Sequence, residues 1–91
     1  MNITKITPLY GFVITSEFKG ATDYKGEMCI VRIRGEMYKI PWNYDLNTEE
    51  MHIQAIKIGF DKFMEGVHHP DEYHLLVTQT NTGATGIIVK E

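Results

Sequence analysis

Residues 28–42, MCIVRIRGEMYKIPW, constrain the fold of this chain more than any other stretch. Arg34-Gly35 lies between two runs of strand-forming residues, and a two-residue loop is the tightest hairpin connection available. Such a loop dictates the pairing: Ile33 opposite Glu36, Val31 opposite Tyr38, Cys29 opposite Ile40. Because strand side chains alternate between faces, this register sorts Cys29, Val31, Ile33, Tyr38, Ile40 and Trp42 onto one side. Met28, Ile30, Arg32, Met37 and Lys39 fall on the other, with Arg34 at the turn. An apolar side and a basic side predict a hairpin, 27–33 and 36–42, laid over a core.

The remaining elements follow from periodicity and punctuation. Residues 9–15, LYGFVIT, read as a first strand, and residues 17–26 as a long polar loop. The clearest helix signal is DLNTEEMHIQAIKIGFDKFMEG, in which Asn47 serves as N-cap and Glu50, three residues on, completes a capping box. Leu46 and Met51 have the spacing of a hydrophobic staple. Glu49 and Glu50 suit the positive end of the helix dipole, and Gly66 is a left-handed stop. Ile53, Ile56, Phe60, Phe63 and Met64 recur at helical spacing and are predicted to face the sheet. Ile58 falls on the other side, near Met51 and Ala55, which predicts a second contact surface there. Residues 73–80 and 87–90 read as a last hairpin joined by the glycine-rich segment NTGATG. The order β-β-β-α-β-β predicts an α+β fold: a mostly antiparallel sheet of about five strands with one helix packed on one face.

With 91 residues, 43% of them hydrophobic and 23% charged, the chain is expected to form one small domain (residues 1–91) with a real core. One cysteine leaves no internal disulfide and fits a reducing, cytoplasmic setting. No leader pattern and no run of about 20 apolar residues is visible. A net charge of -3 argues against a general nucleic-acid coat.

Candidate chemistry is sparse. His68, His69 and His74 stand near Asp71 and Glu72, but no spacing matches a zinc pattern, and neither metal nor cofactor is expected. Cys29 is placed on the inward side of the hairpin, where thiols pack and do not react. Ser16 is in no elbow-like context, and no acid/base dyad stands out, so no catalytic residue is assigned and the chain is not expected to be an enzyme. The glycine-rich hairpin lacks the lysine and the strand-to-helix setting of a phosphate loop. Arg32, Arg34 and Lys39, with Lys25 nearby, form a cationic set suited to phosphate or carboxylate.

At Thr22, Asp23, Lys25 and Gly26, then Ile40, Pro41, Trp42 and Leu46, then Glu49, Glu50, His52 and Ala55, the chain resembles a group of small uncharacterised proteins of phage and prophage type. Trp42 stands where that pattern more often has tyrosine. The resemblance implies a phage-type accessory protein and transfers no catalytic residue. Most of the pattern has a packing explanation. The loop Thr22-Asp23-Tyr24-Lys25 has less of one, which makes it the first candidate for function.

The expectation is therefore a non-enzymatic, phage-type accessory protein that binds and inhibits a host protein, a component of antiviral defence, in the host cytoplasm. Its contact residues would be Thr22, Asp23, Tyr24, Lys25, Arg32, Arg34 and Lys39, with Met51, Ala55 and Ile58 as a second interface, one that a homodimer could use. The alternative is a sponge that sequesters a nucleotide-type signalling ligand, as an oligomer.

Overall fold

The computed structural model describes residues 2–8, 11–22, 26–66 and 72–90. Five strands and one helix follow the expected order: β1 (Phe12–Lys19), β2 (Met28–Ile33), β3 (Glu36–Pro41), α1 (Thr48–Phe63), β4 (Tyr73–Gln79) and β5 (Gly83–Lys90). The strands form one antiparallel sheet in the order β3-β2-β1-β5-β4. The fold is α+β, a sheet with a helix packed across one face.

The hairpin register is the expected one. Ile33 pairs with Glu36, Val31 with Tyr38 and Cys29 with Ile40. Arg34 and Gly35 both adopt positive φ, 46° and 83°, the backbone that a two-residue turn joining right-twisted strands requires. Cys29, Val31, Ile33 and Ile40 are buried under the helix, and Tyr38 and Trp42 pack partly against them.

Two strands are longer than expected. β1 runs on to Lys19, through residues assigned to a polar loop, because it is the central strand and pairs on both sides. Glu17 and Lys19 pair with Ile30 and Met28 and point to the uncovered face, which is why their polarity imitated a loop. Residues 9 and 10, the start of the expected strand, lie outside the described residues. β5 begins at Gly83, so only Thr80, Asn81 and Thr82 connect it to β4. Its glycines mark close approach and not flexibility. A Cβ on Gly86 would stand 2.9 Å from Leu75 and 3.2 Å from Ile14, and one on Gly83 would strike the Ser16 carbonyl.

The helix carries its expected capping box. Asn47 Oδ1 accepts from the Glu50 amide at 2.8 Å, and Glu50 Oε1 accepts from the Asn47 amide at 3.3 Å. Gly66 has the expected positive φ of 82°. Its buried face is rotated by roughly a quarter turn from the expected stripe, at 100° per residue. The buried residues are Met51, His52, Ala55, Ile56 and Gly59, while Ile53, Phe60 and Phe63 are half-buried. Gly59 explains the rotation: it lies directly on Val31, and a Cβ there would stand 2.5 Å from Val31 Cγ1. The helix settles on its smallest residues because they allow the closest approach. Met51 and Ala55 are thus core residues, and Ile58 packs partly against the core, so this set does not form the second interface expected of it.

Candidate functional site

At one end of the sheet, β1 stops at Lys19, β2 begins at Met28, β3 ends at Pro41, and α1 and the β4–β5 turn arrive from the other side. Backbone hydrogen bonds tie this end together. Trp42 donates to the Glu27 carbonyl at 3.1 Å, and Phe18 donates to the Thr82 carbonyl at 3.1 Å. A turn over Asn43–Leu46 then carries the chain into the helix: the Asp45 amide donates to Asn43 Oδ1 at 2.9 Å and the Leu46 amide to the Asn43 carbonyl at 3.2 Å.

These ends enclose a hollow of about 740 Å³. One wall is aromatic: Phe18 and Trp42 meet edge to face at 5.2 Å between centroids. Glu27, Thr48 and Glu49 form a second wall, and the segment from Gln79 to Gly83 closes the third. No lysine or arginine lines it among the described residues. A shallower hollow of about 390 Å³ lies alongside, where Lys39, Pro41, Trp42 and Tyr44 meet Gly26–Met28. The Tyr44 hydroxyl donates to Glu27 Oε1 at 3.1 Å between the two.

His52 forms the floor of the larger hollow and leads into a buried polar cluster. Its Nδ1 lies 2.7 Å from Ser16 Oγ and 3.7 Å from Cys29 Sγ, and its ring meets Trp42 edge-on at 5.8 Å. Ser16 and His52 are each 1% exposed, and Cys29 is fully buried. In the Nε2–H tautomer, Ser16 donates to Nδ1, which satisfies a hydroxyl and an imidazole that the core would otherwise penalise. Burial lowers the His52 pKa, since the charged ring loses its hydration. Burial likewise raises the Cys29 thiol pKa, with hydrogen bonding to Ser16 pulling the other way. A thiol held up in this manner is a poor nucleophile, and a serine sealed in mid-strand presents no hydroxyl to a substrate.

The residues singled out in the sequence scatter over this frame. Thr22 is exposed in the loop that follows β1, and Asp23, Tyr24 and Lys25 lie outside the described residues. Arg32 and Lys39 sit on the uncovered sheet face, where Arg32 donates to Glu17 Oε2 at 3.2 Å. Arg34 departs from them. Its guanidinium lies 4.4 Å over the Phe12 ring, which packs on Phe60 and Phe63 of the helix, so its charge is turned to the helix side. Of the three cations expected on one face, Arg32 and Lys39 share it and Arg34 does not. Of the acidic and histidine cluster, His68, His69 and Asp71 lie outside the described residues; among those described, no group of three metal-binding side chains occurs. Nor is any described helix long and apolar enough to cross a membrane.

Fold and site together define a small two-layer α+β protein with a hollow at the loop end of its sheet. Beyond that class no relative stands out: no protein-family model, curated protein or solved structure matches the chain.

Proposed function

We propose that this is a non-enzymatic accessory protein of phage type that binds and blocks a host protein of an antiviral defence system. The observation that carries this reading is the aromatic wall of the larger hollow. Phe18 is 48% exposed although it sits in the central strand, and it is braced by Trp42. An exposed aromatic held rigid next to a concavity is the usual form of a protein-binding anchor. Lys39, which lines the neighbouring smaller hollow, and Arg32, further along the uncovered face, add steering charge. In this reading His52, Ser16 and Cys29 hold the floor of the hollow in place and do no chemistry.

The alternative, a sponge for a nucleotide-type ligand, draws on the smaller hollow, where Lys39 stands beside Trp42 and Tyr44. One experiment separates the two. The tagged protein is expressed in defence-bearing bacteria under phage challenge, and plaque counts and the co-purified protein are measured. Blocking predicts restored plaques with a stoichiometric host protein, and Phe18→Ala with Arg32→Glu abolishes both while the melting temperature holds. Restored plaques without a protein partner, together with a thermal upshift by nucleotides, would replace this reading by the sponge.

A further inference from the structure

We infer that the outer edge of β4 is a self-pairing edge, through which two copies of this chain join into a continuous ten-stranded sheet. This goes beyond the proposed host interaction, which is centred on the hollow at Phe18 and Trp42 and not on the outer edge of β4.

The two edge strands differ in kind. β3, EMYKIP, carries Glu36, Lys39 and a terminal Pro41, the residues that discourage strand addition. β4, YHLLVTQ, has no lysine, arginine, carboxylate or proline over seven residues, and no strand pairs with its outer side among the described residues. Apolar side chains flank it on both faces. On the helix side, Leu75 borders a groove of about 270 Å³ lined by Ile56, Phe60 and Ile88. On the uncovered side, Leu76 is 42% exposed and continues a cross-strand row through Ile87 to Val13, itself 60% exposed.

Backbone parity selects the occupant and its register. Thr80 and Gly83 exchange backbone hydrogen bonds at 2.7 and 3.4 Å. The register with β5 is unbroken, so alternation assigns the backbone groups of His74, Leu76 and Thr78 to β5. Those of Leu75, Val77 and Gln79 are thereby directed outward. An antiparallel second copy can use them only if two outward-directed residues face each other. The pairing that also overlaps the whole strand places a two-fold axis at Leu76. Leu75 then bonds the partner's Val77, and Val77 bonds the partner's Leu75. At the axis, Leu76 meets the partner's Leu76 as a non-hydrogen-bonded pair, the closer of the two pair types. The uncovered apolar row becomes continuous across the axis, and the partner's Val77 falls beside Leu75 at the mouth of the groove. A strand whose sequence is its own complement in hydrogen-bond parity and in apolar faces is best matched by itself.

Sedimentation or light scattering across a concentration series tests this. The expected mass rises to about 21 kDa, twice the 10.5 kDa chain. Val77→Pro removes an outward N–H and should return the mass to that of the monomer, a change tolerated where a strand edge faces solvent. Leu76→Lys opposes two like charges at the axis and should do the same. Should Val77→Pro fail to fold, Leu76→Cys decides: oxidation should link two chains at the axis, because close non-hydrogen-bonded pairs bring Cα atoms to about 4.5 Å. Val77→Cys alone should not link. A monomer at every concentration, a dimer indifferent to Val77→Pro and Leu76→Lys, or equal cross-linking of Leu76→Cys and Val77→Cys would each overturn the inference.

Discussion

His52 joins helix, sheet and hollow in one side chain, and its burial makes it a proton-linked element of stability. Its pKa is lowered in the fold from an ordinary value of 6.5, so the unfolded chain binds the proton more readily. The contribution is therefore complete above pH 6.5. It falls as pH drops below that value and levels off once pH passes the folded pKa. Between the two values the slope approaches about 1.4 kcal/mol per pH unit. Denaturation midpoints measured from pH 7.5 to 5.5 should fall in the wild type and flatten in His52→Asn, which keeps a group able to bond Ser16. Equal slopes in both proteins would assign the dependence to groups other than His52. Trp42, the single tryptophan, lies edge-on to the ring at 5.8 Å, so its fluorescence should report the native protonation with a midpoint below 6.5. The sequence held a signal for this cluster that a strand boundary concealed. Once β1 reaches Lys19, Ser16 alternates in phase with Ile14 and Phe18, and an inward serine calls for a buried partner. Read as the edge of a loop, Ser16 made no such demand.

At the scale of elements, what could be read was whatever the chain encodes locally. The β2–β3 register was legible because one turn and one alternation agree on it. The helix ends were legible because Asn47, Glu50 and Gly66 act within a few residues of themselves. The rotation of the helix was not, since Gly59 and Ala55 carry almost no hydrophobic weight and yet decide where the backbone can approach the sheet. That contact makes a prediction opposite to propensity. Alanine is favoured over glycine in a helix interior by about 1 kcal/mol. Gly59→Ala should nevertheless destabilise the protein, by about 1–3 kcal/mol, because its Cβ meets Val31 Cγ1 at 2.5 Å. Combining it with Val31→Ala should recover part of that loss, giving a double-mutant cycle with clear coupling. Chemical denaturation of the four proteins measures it, and additive losses would mean that the cost at Gly59 does not arise from its contact with Val31. Strand order was likewise hidden, since placing β1 between β2 and β5 depends on pairings far apart in the chain.

For the whole molecule, the consequence is a sheet whose two faces have different duties. The helix side holds Ile14, Val31, Ile33, Met51 and Ile56, all essentially without exposure. The other side carries Val13, Met37 and Leu76 in the open, with the Arg32–Glu17 pair among them. An ion pair whose side chains are half-exposed contributes about 0–1 kcal/mol, so the charges on this face are not what holds the fold. Stability should therefore alternate along β1 with a period of two. Ile14→Ala should cost about 2–5 kcal/mol, the usual range for emptying a sealed aliphatic site. Val13→Ala, one residue earlier in the same strand, should cost well under 1 kcal/mol, and Arg32→Gln with Lys39→Gln no more than the ion pair supplied. In a domain of this size about 1 kcal/mol corresponds to some 4–8 °C, so calorimetry resolves the two classes easily. Similar losses at Val13 and Ile14 would show that the open face is covered in solution. A face that can change without unfolding the molecule is free to be shaped by what it binds, whereas the helix side is held to its own packing.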